Sequence, residues 1–184
     1  MVQGLEIGRE TVITGRKDDL TRRDFLAEVV DRLRAELPNE FASFHEKRNQ
    51  HLLKVYYGNE KVHYEVWFIN QPRLIEIGLH FEDGPASTAA YLTYFDQYVV
   101  ELKHELGPEM ELERWTQSWG HVYELIPRMP LSERYAAQIG TRLAKYVSIL
   151  QPLVEAAGID ADRSAQPAVT GRPWRHFRRG RRGG

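Results

Sequence analysis

The chain has no cysteine among its 184 residues, which excludes disulfide scaffolds, thiolate metal centres and cysteine nucleophiles. No apolar run approaches the roughly 18 residues of a membrane span. The opening residues, MVQGLEIGRE, lack the charged-then-apolar pattern of a secretory signal. A cytoplasmic protein with no membrane partner is the expectation. Catalytic signatures are missing too: there is no phosphate-binding glycine loop, no dinucleotide fingerprint, no H-E-x-x-H and no nucleophile elbow. Glu101-Leu102-Lys103 carries the letters of a restriction-type nuclease motif but falls on an expected helix, where the geometry is wrong. These absences lean away from an enzyme, and no cofactor, metal or catalytic residue is assigned.

What is present is charge, unevenly placed. The formal net charge is −1, yet residues 1–157 hold 18 Lys and Arg against 24 Asp and Glu, a balance of −6. From residue 158 onward seven arginines face Asp160 and Asp162, a balance of +5. The last thirteen residues read RPWRHFRRGRRGG, with aromatic rings threaded between arginines, no acid and no apolar periodicity. Arginine forks pair with phosphate and aromatic rings stack on bases, in segments that stay disordered until bound. Arg172, Trp174, Arg175, Phe177, Arg178, Arg179, Arg181 and Arg182 are therefore the expected nucleic-acid-binding residues, with an acidic protein as the other partner that fits. Arginine outnumbers lysine 19 to 6, which suits phosphate recognition or heat adaptation and equally a GC-rich genome.

The body reads as one α+β domain over residues 20–157, between an N-terminal segment (1–19, with a short strand at 11–14) and a disordered arginine-rich tail (158–184). Thr21, with Asp24 three residues on, marks a helix start, and Leu26, Val29, Val30, Leu33 and Leu37 follow at helical spacing until Pro38. From Leu52 to Glu82 the apolar period is two, which gives a three-stranded antiparallel meander with one apolar face. A helix opening near Ser87 or Thr88 carries Leu92, Phe95, Val99, Leu102 and Leu106, and Gly107-Pro108 stops it. Short strands near residues 111–116 and 121–126 precede a helix capped by Ser132, which Pro152 should kink or end. The order is α-βββ-α-ββ-α: a mostly antiparallel sheet with helices packed on one face.

Counting back from a four-residue turn at Asn70–Arg73 pairs Ile69 with Leu74, Trp67 with Glu76, Glu65 with Gly78 and His63 with His80. The Gly58 turn likewise sets Tyr56 beside His63 and Lys54 beside Glu65. Lys54, Tyr56, His63, Glu65, Trp67, Glu76 and His80 then share the face away from the apolar one. Two imidazoles near a carboxylate are the beginning of a metal centre or an acid–base pair. The ligand count is short for zinc, however, and a solvated face of cross-strand polar pairs has the same composition. Tyr56 and Trp67 want cover, which a homodimer or a substrate groove would supply.

The strand LIEIGLHF (Leu74–Phe81), ELKHELG at 101–107 and ELERW at 111–115 resemble, over residues 63–157, an uncharacterised prokaryotic domain family often found C-terminal to restriction-type nuclease domains. The resemblance implies an accessory or binding module in a DNA-associated setting and implies no activity. The reading is thus a non-catalytic module that meets nucleic acid or an acidic partner through its tail. The alternatives are a structural protein dimerising through the polar-aromatic face, and a small hydrolase-like enzyme using His63, Glu65 and His80.

Overall fold

A computed structural model describes residues 19–159. The expected strand at 11–14 and the arginine residues 172–182 lie outside the described residues. Helix α1 (Arg22–Glu36) starts where the sequence places it: Thr21 is extended, and its Oγ1 accepts from the Asp24 backbone N–H at 3.2 Å. Pro38 ends it, because the residue before a proline is driven out of the helical region, and Leu37 has ψ 140°.

Six strands then build one antiparallel sheet in the order β1-β2-β3-β4-β6-β5. They are β1 (His45–Arg48), β2 (Leu52–Tyr56), β3 (Val62–Ile69), β4 (Leu74–Phe81), β5 (Glu111–Arg114) and β6 (Gly120–Pro127). The meander register agrees with the turn arithmetic at every pair, from Ile69–Leu74 to His63–His80 and on to Tyr56–His63. Strand β1 is additional. Its sequence, HEKR, has no apolar alternation to announce it, and it is mostly exposed, so it caps the sheet edge with charge.

The single helix expected after the meander is two, α2 (Gly84–Asp96) and α3 (Val99–Leu106). Between them the chain tightens into i→i−3 bonds, Gln97 N to Tyr94 O at 3.3 Å and Tyr98 N to Phe95 O at 3.0 Å, the geometry of a 3₁₀ turn. Ser87 and Thr88 lie inside α2 and do not cap it. The Thr88 hydroxyl instead donates to the carbonyls of Ser118 and Phe81. Helix α4 (Glu133–Ala157) is capped by Ser132, runs through Pro152 and stops at left-handed Gly158. Pro152 forfeits one helical bond, but Val147, Leu150 and Gln151 beside it are buried and the Tyr64 hydroxyl donates to Gln151, so packing holds the last turns.

All four helices serve one face of the sheet. Phe25, Leu26, Leu33, Leu143 and Val147 meet Leu53, Tyr64, Val66, Ile75, Ile77 and Leu79 in a continuous core. Helices α1 and α4 pack on each other at Gly140, where a Cβ would sit 2.7 Å from the Arg32 Cβ and 2.9 Å from the Val29 carbonyl oxygen. Alternation along the strands puts the polar set on the opposite face, which carries no helix among the described residues.

Candidate functional site

Strand β6 lies beside β4 and completes the polar face. The register aligns three rows across the strands. The first is Tyr56, His63, His80, His121; the second is Lys54, Glu65, Gly78, Tyr123; the third is Leu52, Trp67, Glu76, Leu125. Gly78 stands at the centre and adds no side chain to the lattice. It has no room for one, since a Cβ would meet the Val122 carbonyl oxygen at 2.6 Å and the Tyr123 Cβ at 2.7 Å. Above it the neighbouring side chains converge.

Glu76 and His80 are four residues apart on one strand, which separates their Cα atoms by roughly 13 Å. Their tips meet above Gly78, with His80 Nε2 3.0 Å from Glu76 Oε1. His121 Nδ1 approaches the same oxygen at 3.2 Å, and Glu65 Oε2 is 3.7 Å from His80 Nε2. On the other side His63 holds Glu65 Oε1 at 2.9 Å through Nε2, while its Nδ1 donates to the Glu60 carbonyl at 2.8 Å. The Lys54 ammonium lies 3.2 Å from Glu65 Oε1 and 3.2 Å from Glu82 Oε2.

Among the described residues no helix shields this face, yet its ionisable groups are buried: His63 is 0% and His80 2% exposed, and Glu65, Glu76 and His121 are nearly as hidden. They cover each other, with the rings of His63 and His80 stacked at 5.5 Å and those of His80 and His121 edge-on at 5.1 Å. Burial alone would raise the Glu76 carboxyl, but the hydrogen bond with His121 and the close approach of the His80 ring override it and hold the group at about 2. Glu65 is also lowered: burial opposes the shift, and the His63 bond with the charges of His80, His63 and Lys54 produces it. His80 is raised, burial notwithstanding, by Glu76, Glu65 and Glu82. One atom is unsatisfied. Buried His80 Nε2 is close to Glu76 but makes no directed hydrogen bond.

Comparison with protein-family models, curated proteins and solved structures gives no match. The reading therefore rests on the chain's own geometry.

Of the sequence-derived face residues, Lys54, His63, Glu65, Glu76 and His80 come together. Trp67 and Tyr56 sit to either side: Trp67 packs on Trp115 at 5.9 Å, and Tyr56 stacks on His45 at 5.3 Å. His121 and Tyr123 join the face as well, which sequence reasoning does not reach, because the position of β6 cannot be counted from a local turn. That reasoning also gave Gly78 no role, although a glycine inside an alternating strand is itself a signal of close approach.

A second polar feature lies at the other end of the strands. Arg22, Arg73 and Arg128 line a depression of about 290 Å³ together with Asp19. The Arg22 guanidinium is held by His51, at 2.9 Å, and by Asn70, at 2.8 Å. Arg128 Nη1 is buried without an acceptor among the described residues. Burial and the like charges of Arg73 and Arg22 pull Arg128 below its ordinary value. Nothing in the sequence draws these three together, since Arg22 opens a helix, Arg73 closes a hairpin and Arg128 follows the last strand.

Proposed function

We propose that this chain is a non-catalytic accessory module that binds nucleic acid through phosphate, using its arginine-rich C-terminal segment and the Arg22, Arg73 and Arg128 cluster. The observation that carries this reading is Arg128 Nη1, a buried nitrogen on a half-buried side chain with no acceptor among the described residues, set beside two further guanidinium groups. An unmade bond of this kind is costly, and a phosphate oxygen would complete it in the fork geometry arginine offers. The aromatic rings among the tail arginines favour nucleic acid over an acidic protein, because they supply stacking surfaces. The burial of His63 and His80 gives the hydrolase-like alternative no exposed base.

The test is a titration of single- and double-stranded nucleic acid at several salt concentrations, with the full chain, a 1–162 truncation and an Arg73→Ala/Arg128→Ala variant. The full chain should bind with a dissociation constant of roughly 10⁻⁴ to 10⁻⁶ M and weaken steeply with salt. The truncation should lose most of the affinity, and the double variant should reduce the salt slope by about 1–2. Equal binding by all three proteins would end this reading. Retention of polyglutamate with no retention of nucleic acid would transfer it to an acidic partner.

A further inference from the structure

We infer that Glu76, His80 and His121, whose side chains meet above Gly78, form a metal site for a zinc-class divalent cation. This is independent of nucleic-acid binding and lies on the open sheet face. The spacing is the first argument. Zinc bonds of about 2.0–2.1 Å in tetrahedral array place ligand atoms roughly 3.3 Å apart. The observed separations are 3.0 Å from Glu76 Oε1 to His80 Nε2 and 3.2 Å from Glu76 Oε1 to His121 Nδ1, and all three ligand atoms lie within 4.8 Å of one another.

The second argument is the unsatisfied atom. His80 Nε2 is buried, makes no directed hydrogen bond and belongs to a side chain only 3% exposed. An imidazole nitrogen 3.0 Å from one carboxylate and 3.7 Å from a second, with another imidazole on the first, is placed as a ligand atom would be. The third is the choice of residues. Two imidazoles with a carboxylate and no thiolate suit zinc and its borderline neighbours rather than calcium or magnesium, which take oxygen ligands. Glu65 is the nearest further carboxylate to His80 Nε2.

A neighbouring group, His63, Glu65, His80 and Glu82, also clusters within 4.8 Å. It already holds a cation, since the Lys54 ammonium is 3.2 Å from both carboxylates. Glu76, His80 and His121 have no such occupant among the described residues. His63, bonded to Glu65, acts from outside the ligand set and orients what lies beside it.

The experiment uses the untagged full chain, stripped with chelator, and zinc and cobalt(II) salts as probes. Calorimetry should find one zinc per chain, and cobalt(II) should give the intense visible absorption of a four-coordinate site. Glu76→Gln and His121→Gln should each weaken zinc by at least about 100-fold, the upper end of what loss of an outer-shell partner costs. Lys54→Met should retain binding. Absence of stoichiometric zinc binding by the folded chain, or affinity unchanged in both ligand variants, overturns the site. Should either variant fail to fold by circular dichroism, the wild-type cobalt spectrum decides: a weak octahedral spectrum overturns it and an intense one upholds it.

Discussion

Gly78 does at the scale of one residue what a larger side chain could not: it lets two residues of the same strand touch across it. The buried pair it creates is pH-sensitive in the metal-free chain. Glu76 falls from an ordinary 4.5 to about 2 on folding, so its stabilising contribution is present above pH 4.5 and is lost as pH falls toward 2. His80 is raised from 6.5, so its contribution is present below 6.5 and is lost as pH rises through the folded value. With chelator present, stability should therefore peak between pH 4.5 and 6.5. Denaturant midpoints measured from pH 2 to 9 test this, and Glu76→Gln should flatten the acid limb. An acid limb as steep as wild type would show that another carboxylate sets it.

At the scale of elements, the joint between α1 and α4 is the most sharply constrained contact. Alanine is the better helix former by about 1 kcal/mol, but its methyl at Gly140 would press on the backbone carbonyl of Val29, which cannot swing aside. Overpacking of this kind costs about 1–3 kcal/mol, so after the propensity gain Gly140→Ala should still destabilise the fold, by up to about 2 kcal/mol. Chemical denaturation reads this directly, and a stabilised variant would mean that the helices can slide apart. Elements governed by local pattern were legible in the sequence: α1 from Thr21 and its apolar spacing, and the meander with its register from the turn at Asn70–Arg73. What was not legible depends on distant partners. Strand β1 exists because β2 offers it an edge, β6 pairs with β4 across two intervening helices, and Pro152 is tolerated because the helix around it is buried. The candidate site divides along the same line. His63, Glu65 and His80 came from hairpin arithmetic, whereas His121 needed the tertiary fold.

At the scale of the whole molecule, the described residues form a two-layer body whose helix-free sheet face ends in an aromatic edge. Trp115 and Trp119 are 49% and 42% exposed, with Leu125 nearby at 43%, and Trp67 packs beneath Trp115. This edge favours the homodimer as a second reading, with a like copy covering the indoles. Sedimentation velocity should then show a concentration-dependent dimer that Trp115→Ser/Trp119→Ser abolishes, and a monomer across the accessible range would exclude it.

The helix joint has a further consequence, in time rather than in stability. The hydrogen bond from Arg32 to Thr141 closes a sequence separation of 109 residues, while the hairpins of the meander close within a few. Long loops cost entropy before their contacts contribute, so the terminal helices dock after the sheet has formed. A weakness at Gly140 would then leave refolding nearly unchanged and quicken unfolding. The crossing of α1 and α4 thus sets how long each molecule stays folded, and the hairpins set how soon it gets there.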